Sequence, residues 1–128
     1  MTTTPEQQYK IVVEGVRLVA LDAARQIAIL PEFVVPSDEI ATTFSDGYLL
    51  VPQLRRRNLI NEEAAAKLKV LDDWFEEMPT DGSIVSNESL QEHDFWKTAR
   101  ELARKALASL KEERCEPDLS HVFWVEGD

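Results

Sequence analysis

Apolar residues at Tyr9, Val13, Val16, Ala20, Ala23, Ile27 and Leu30 recur in steps of three and four between two prolines, Pro5 and Pro31. That period marks a long helix burying one face. Val12 and Val19 widen the stripe, while Glu14, Arg17, Asp22 and Arg25 lie elsewhere on the wheel. Thr4-Pro5-Glu6-Gln7 supplies the start: Thr4 as N-cap, Pro5 at the first helical position and Gln7 at capping-box spacing. A stripe this long needs partners to cover it, and the rest of the chain offers further helices.

"PEFVVP" (31–36) reads as an extended connection whose Phe33, Val34 and Val35 pack on the domain. Ser37 is expected to cap a second helix, with Asp38 and Glu39 in its first turn. Ile40, Phe44, Tyr48 and Val51 keep helical spacing, but Asp46-Gly47 and Pro52 leave two readings open. The helix either kinks at Pro52 or breaks at Gly47 and restarts, with a short strand at "YLLV" as a further alternative. Arg55, Arg56 and Arg57 suit its C-terminus, and Asn58 suits a left-handed cap. Asn61 caps a third helix, Glu62 to Met78, with Ala65, Leu68, Leu71, Trp74, Phe75 and Met78 facing inward and Pro79 ending it. After a loop at 79–87 and a short helical turn, Asp94 is expected to cap a last helix burying Phe95, Trp96, Ala99, Leu102, Ala103, Ala106, Leu107 and Leu110. The expected fold is all-α: a single helical domain over 1–128, an antiparallel bundle of about four helices with an extended apolar C-terminal tail. That tail, 115–128, carries His121-Val122-Phe123-Trp124-Val125, which should dock on the bundle, add a short strand or contact a partner.

The chain has 128 residues, one cysteine and a net charge of −10, from 14 basic and 24 acidic side chains. A lone Cys115 excludes an internal disulfide and fits a reducing compartment. The N-terminus shows no basic, apolar leader pattern, and the longest apolar runs fall far short of the roughly 20 residues of a membrane span. The expectation is a soluble cytoplasmic protein without a membrane partner. Phosphate backbones repel so acidic a surface, which disfavours nucleic acid; a cationic partner is its electrostatic complement.

The charge is concentrated. Between Val70 and Trp96 lie eight acids (Asp72, Asp73, Glu76, Glu77, Asp81, Glu88, Glu92 and Asp94) and no Lys or Arg. Four of them surround Trp74-Phe75 in "DDWFEEM", where the third helix ends and the backbone dipole prefers cations. Asp72–Glu76 and Asp73–Glu77 are like-charged i,i+4 pairs, each costing about 0.2–0.5 kcal/mol. Three readings stay open: nearby cations (Lys97, Arg100, Arg104 and Lys105 of the last helix, or Arg55–Arg57) compensate the acids, the run is a merely solvated face, or the cluster stands unpaired to meet a cationic partner.

Signals for catalysis are weak. "EHD" at 92–94 is consecutive on the chain, so its side chains diverge rather than converge on a metal. Cys115 and His121 sit in no nucleophile motif, and four glycines form no phosphate loop. No enzyme activity, cofactor or metal is expected.

The stretch "ILPEFVVPSDEIATTFSDGYLLVPQLRRRNLINEEAAAKLKVLDDWFEEM", followed by "FWKTARELARKAL", resembles a group of small bacterial immunity proteins. These belong to toxin–immunity pairs, including contact-dependent growth inhibition systems. The resemblance covers about positions 27–110, and the chain departs from the pattern at Gly47 and in its longer apolar tail. It implies a cytoplasmic, non-enzymatic inhibitor, often acidic because many such toxins are basic nucleases. Immunity interfaces vary between pairs, so it carries over no individual contact. The expected partner-binding residues, read from charge and exposure, are Asp72, Asp73, Glu76, Glu77, Asp81 and Glu88, with Phe123 and Trp124 as an apolar anchor. The alternative expectation is a homo-oligomeric structural or regulatory protein, a homodimer for instance, that uses its tail for self-association.

Overall fold

In the computed structural model, which describes residues 3–122, the first helix opens on the expected capping box. Thr4 N–H donates to Gln7 Oε1 (2.8 Å) and Gln7 N–H to Thr4 Oγ1 (3.1 Å). The apolar stripe from Tyr9 to Leu30 is shared by two helices, α1 (Pro5–Ala20) and α2 (Ala23–Ile29), with Leu21 and Asp22 extended between them. Side chains take over the carbonyls that a continuous helix would have used. Buried Gln26 donates through Nε2 to Leu18 O (2.8 Å) and Val19 O (3.1 Å), and Arg104 Nε donates to Ala20 O (3.1 Å).

The second expected helix is also two: α3 (Pro36–Tyr48) and α4 (Val51–Arg56). The break falls at Leu49-Leu50, after Gly47, and Pro52 sits in the first turn of α4, where a missing N–H costs nothing. Gly47 is therefore helical, and its role is contact. A Cβ there would lie 3.3 Å from both Ile11 O and Val12 Cα, and one on Gly15 would lie 3.2 Å from Thr43 O. The α1 and α3 backbones touch through these two glycines. Ser37 is not the cap of α3. It lies buried inside the first turn and donates Oγ–H to Val85 O (3.2 Å), while Pro36 begins the helix. Of the 31–36 connection, Val34 packs against the core, but Phe33 and Val35 are 45% and 46% exposed.

Three helices complete the described chain: α5 (Glu62–Glu76), α6 (Asn87–Glu92) and α7 (Asp94–Leu110). Asn61 and Ser86 cap α5 and α6 with their side chains, but His93, not Asp94, caps α7, its Nδ1 accepting the Phe95 N–H (3.0 Å). Asn58 adopts the left-handed conformation expected of it, at φ 62°. The described protein is all-helical, and "YLLV" lies at the α3–α4 junction rather than in a strand. None of its described helices is long and apolar enough to cross a membrane.

Helix α7 packs on both α1 and α5, and α1 packs in turn on α3. Trp96 lies at the centre with no exposure, its Nε1–H held by Ile84 O (2.9 Å). Phe75 and Phe95 meet it edge-on, and Phe44 joins from α3. After the left-handed Lys111, the chain returns along α1 without helical structure from Glu112 to Leu119.

Candidate functional site

Helix α5 has one buried stripe, Ala64, Ala65, Leu68, Leu71 and Phe75. Docking that stripe on α7 turns Asp73, Glu76 and Glu77 outward, where they are exposed, and leaves Asp72 partly covered. Trp74 and Met78, expected to face inward, are only half-buried at the margin of the core. The last turn of α5 contains no basic residue.

One cation reaches the four acids. Lys69 bonds Asp73 across one turn (3.0 Å). The other basic residues that could have neutralised them are engaged elsewhere or stand apart. Arg104 pairs with Asp22 (2.9 Å), Arg55 with Glu62 (3.6 Å), and buried Arg100 donates to Leu90 O (2.9 Å). Among the described residues, Asp72, Glu76, Glu77, Asp81, Glu88, Glu92 and Asp94 form no ion pair. The electrostatics record this. Partial burial, then the neighbouring Glu76 and Asp73, push the Asp72 carboxyl above the ordinary carboxylate range. Tyr48 of α3 is close enough that Asp72 adds to burial in raising its phenol.

Asp81 is exposed on the α5–α6 loop, where Ser83 donates to it (3.0 Å from the backbone N) and lowers its pKa. His93 adds a small further lowering, which places Asp81 near the start of α7. Glu88 is exposed in the first turn of α6, a position the helix dipole favours, and no hydrogen bond or ion pair joins it to the α5 acids. The structure thus gathers Asp72, Asp73, Glu76 and Glu77 on one helix end. Phe123 and Trp124 lie outside the described residues.

A second feature shares only Glu77 with the expected site residues. Trp74, Glu77, Pro79, His93, Asp94 and Phe95 line a groove of about 290 Å³ beside the α5 acids. Its signal in the sequence was divided. Asp94 stood within the acidic run, while Trp74 and Phe95 carried core spacing, and only the packing of α7 on α5 brings them together.

The described tail contrasts with this face. Lys10 pairs with Asp118 (2.6 Å), Arg25 with Glu116 (2.6 Å) and Arg17 with Glu112 (3.2 Å). Beneath them is Glu14, 2% exposed, which bonds the Arg17 guanidinium and accepts the Asp118 N–H. Tyr9 donates its hydroxyl to Glu112 (2.8 Å); burial and that bond push its pKa up to about 12. No group of three or more possible metal ligands exists among the described residues.

Comparison with protein-family models, with curated proteins and with solved structures gave no match.

Proposed function

We propose that the chain is a non-enzymatic inhibitor that captures a cationic protein on the acidic end of α5. The reading the sequence favours is an immunity protein neutralising a cognate basic toxin domain, such as a nuclease, in the cytoplasm. One observation carries the proposal: the acids at the C-terminus of α5 stay almost uncompensated, although the chain holds cations that it spends elsewhere. Like-charge pairs and the dipole together make such an end unfavourable by about 1–3 kcal/mol, a large fraction of an ordinary stability of about 5–15 kcal/mol. Local cost of this kind is tolerated where binding uses it. On this reading α1, α3, α5 and α7 act as an antiparallel four-helix scaffold, with the shorter helices as connections. The acids steer encounter and set specificity; Phe123 and Trp124 add an apolar anchor.

The test is capture of the toxin domain encoded next to this gene, by wild type and by the fourfold variant D72K/D73K/E76K/E77K. The variant is expected to fold as well as wild type and to lose at least about 100-fold in affinity, consistent with several close charge pairs at an interface. Wild-type binding should weaken as salt rises. Undiminished capture by the variant would remove the acidic face from the mechanism.

A further inference from the structure

The groove at the edge of the acidic face has an apolar floor of Trp74, Pro79 and Phe95, with Glu77 and Asp94 on its margin. At about 290 Å³ it lies just below the usual range of small-molecule sites and suits one long side chain. The floor is set before any ligand arrives. Trp74 stacks on Phe95, with centroids 5.4 Å apart and planes 17° from parallel, and its Nε1–H is fixed on Phe95 O (3.0 Å). His93 is held as well, because its Nδ1 accepts the Phe95 N–H and so leaves Nε2 to carry the proton of the neutral ring. Glu77 and Asp94 form no ion pair among the described residues.

An aromatic floor alone would accept any apolar group, but unpaired carboxylates beside it disfavour an uncharged occupant and favour a cation. Lysine brings a compact, strongly hydrated charge. Arginine brings a flat, weakly hydrated one that stacks on an indole and bonds a carboxylate through a fork. We infer that this groove receives an arginine side chain from the surface of the captured protein, its guanidinium against Trp74 and paired with Glu77 or Asp94. The inference rests on the proposed capture of a cationic protein and names the group that is recognised.

The probe is the capped tripeptide acetyl-Gly-Arg-Gly-amide, titrated into the full-length ¹⁵N-labelled chain. Saturable shifts are expected at the Trp74 indole N–H and at the Asp94 and Phe95 amides. The citrulline counterpart, equal in shape but uncharged, should leave them unmoved, and the lysine counterpart should bind at least about threefold more weakly. Glu77→Gln and Asp94→Asn, exposed and close in shape, should each weaken the arginine peptide by about 1.5- to 5-fold, the range of exposed charge pairs. Equal binding of citrulline or lysine, or no shift at the groove, would overturn the assignment. If wild type captures its cationic protein while the arginine peptide leaves the groove untouched, this inference fails and the proposed function stands. If the peptide fills the groove but D72K/D73K/E76K, which leaves Glu77 of the groove in place, captures normally, the acidic-face mechanism fails instead.

Discussion

The carboxylates of the tail and those at the end of α5 are the same chemical groups in opposite circumstances. Glu112, Glu116 and Asp118 of the tail, and Glu14 of α1 beneath them, each meet a guanidinium or an ammonium from α1 or α2. Of Asp72, Asp73, Glu76 and Glu77, only Asp73 does. Their titration diverges accordingly. The Lys10 ammonium, followed by hydrogen bonds from Ser120, holds Asp118 far below the ordinary carboxylate range, whereas burial and neighbouring acids push Asp72 above it. A net charge of −10 therefore describes two different things. In the tail, acids fasten chain to chain; on α5 all but Asp73 stay without an ion pair among the described residues, at some cost to the helix that bears them.

The contrast breaks most severely at Glu14. Replacing it with Ala leaves Arg17 and the Asp118 N–H without their buried partner. Urea unfolding should show a loss of about 3 kcal/mol, the low end for a broken buried pair because Arg17 keeps some access to water. On the other side the sign reverses. Glu76→Lys removes like-charge contacts with Asp72 and Asp73 and places a cation where the dipole wants one. It should stabilise by about 0.5–1 kcal/mol at low salt, and the gain should shrink as salt rises. A destabilised E76K would mean that the acids are compensated in some other way.

Acid should separate the two regions as well. A carboxylate with a depressed folded pKa contributes stability above its unfolded value, near 3.8, and loses it as pH falls through the folded value. Asp118→Asn should therefore cost stability at neutral pH, a cost that fades in strong acid. Asp72 has the opposite shift: between 3.8 and its raised folded value the native state holds the extra proton, and stability falls as pH rises through that window. Asp72→Asn should therefore stabilise at neutral pH, with the gain disappearing below about pH 4. Stability measured against pH for the two variants should give curves of opposite sign, and parallel curves would refute the comparison.

Much of the helical content was legible because it depends on short-range rules. Thr4, Asn61 and Asn58 behave as their local sequence requires, and the α5 and α7 stripes match the buried faces except at Trp74, Met78 and Leu102, which are half-buried. What escaped depends on distant partners. The stripe through Leu30 keeps a helical period across Leu21-Asp22, so periodicity could not reveal a break stabilised by Gln26 and Arg104. Gly47 carries the same letter whether it ends a helix or admits another backbone, and only the position of α1 decides. Ser37 has the chemistry of a cap but spends its hydroxyl on Val85. In the candidate site, the charge run and its outward face were visible in the sequence. Its lack of compensation was not, because pairing depends on where Arg55, Arg100 and Arg104 point. Trp74 and Phe95 followed core spacing up to the edge of the core, where the groove begins.

The tail also imposes an order in time. Tyr9 and Glu112 are 103 positions apart, and Glu14 and Asp118 are 104 apart. Contacts so remote along the chain close late, since the entropy of a long loop must be overcome before they form. Synthesis proceeds from the N-terminus, so all seven described helices leave the ribosome before Asp118 does. Until then Glu14 has only Arg17, its neighbour on the same helix, and a segment made after all of these helices completes its surroundings.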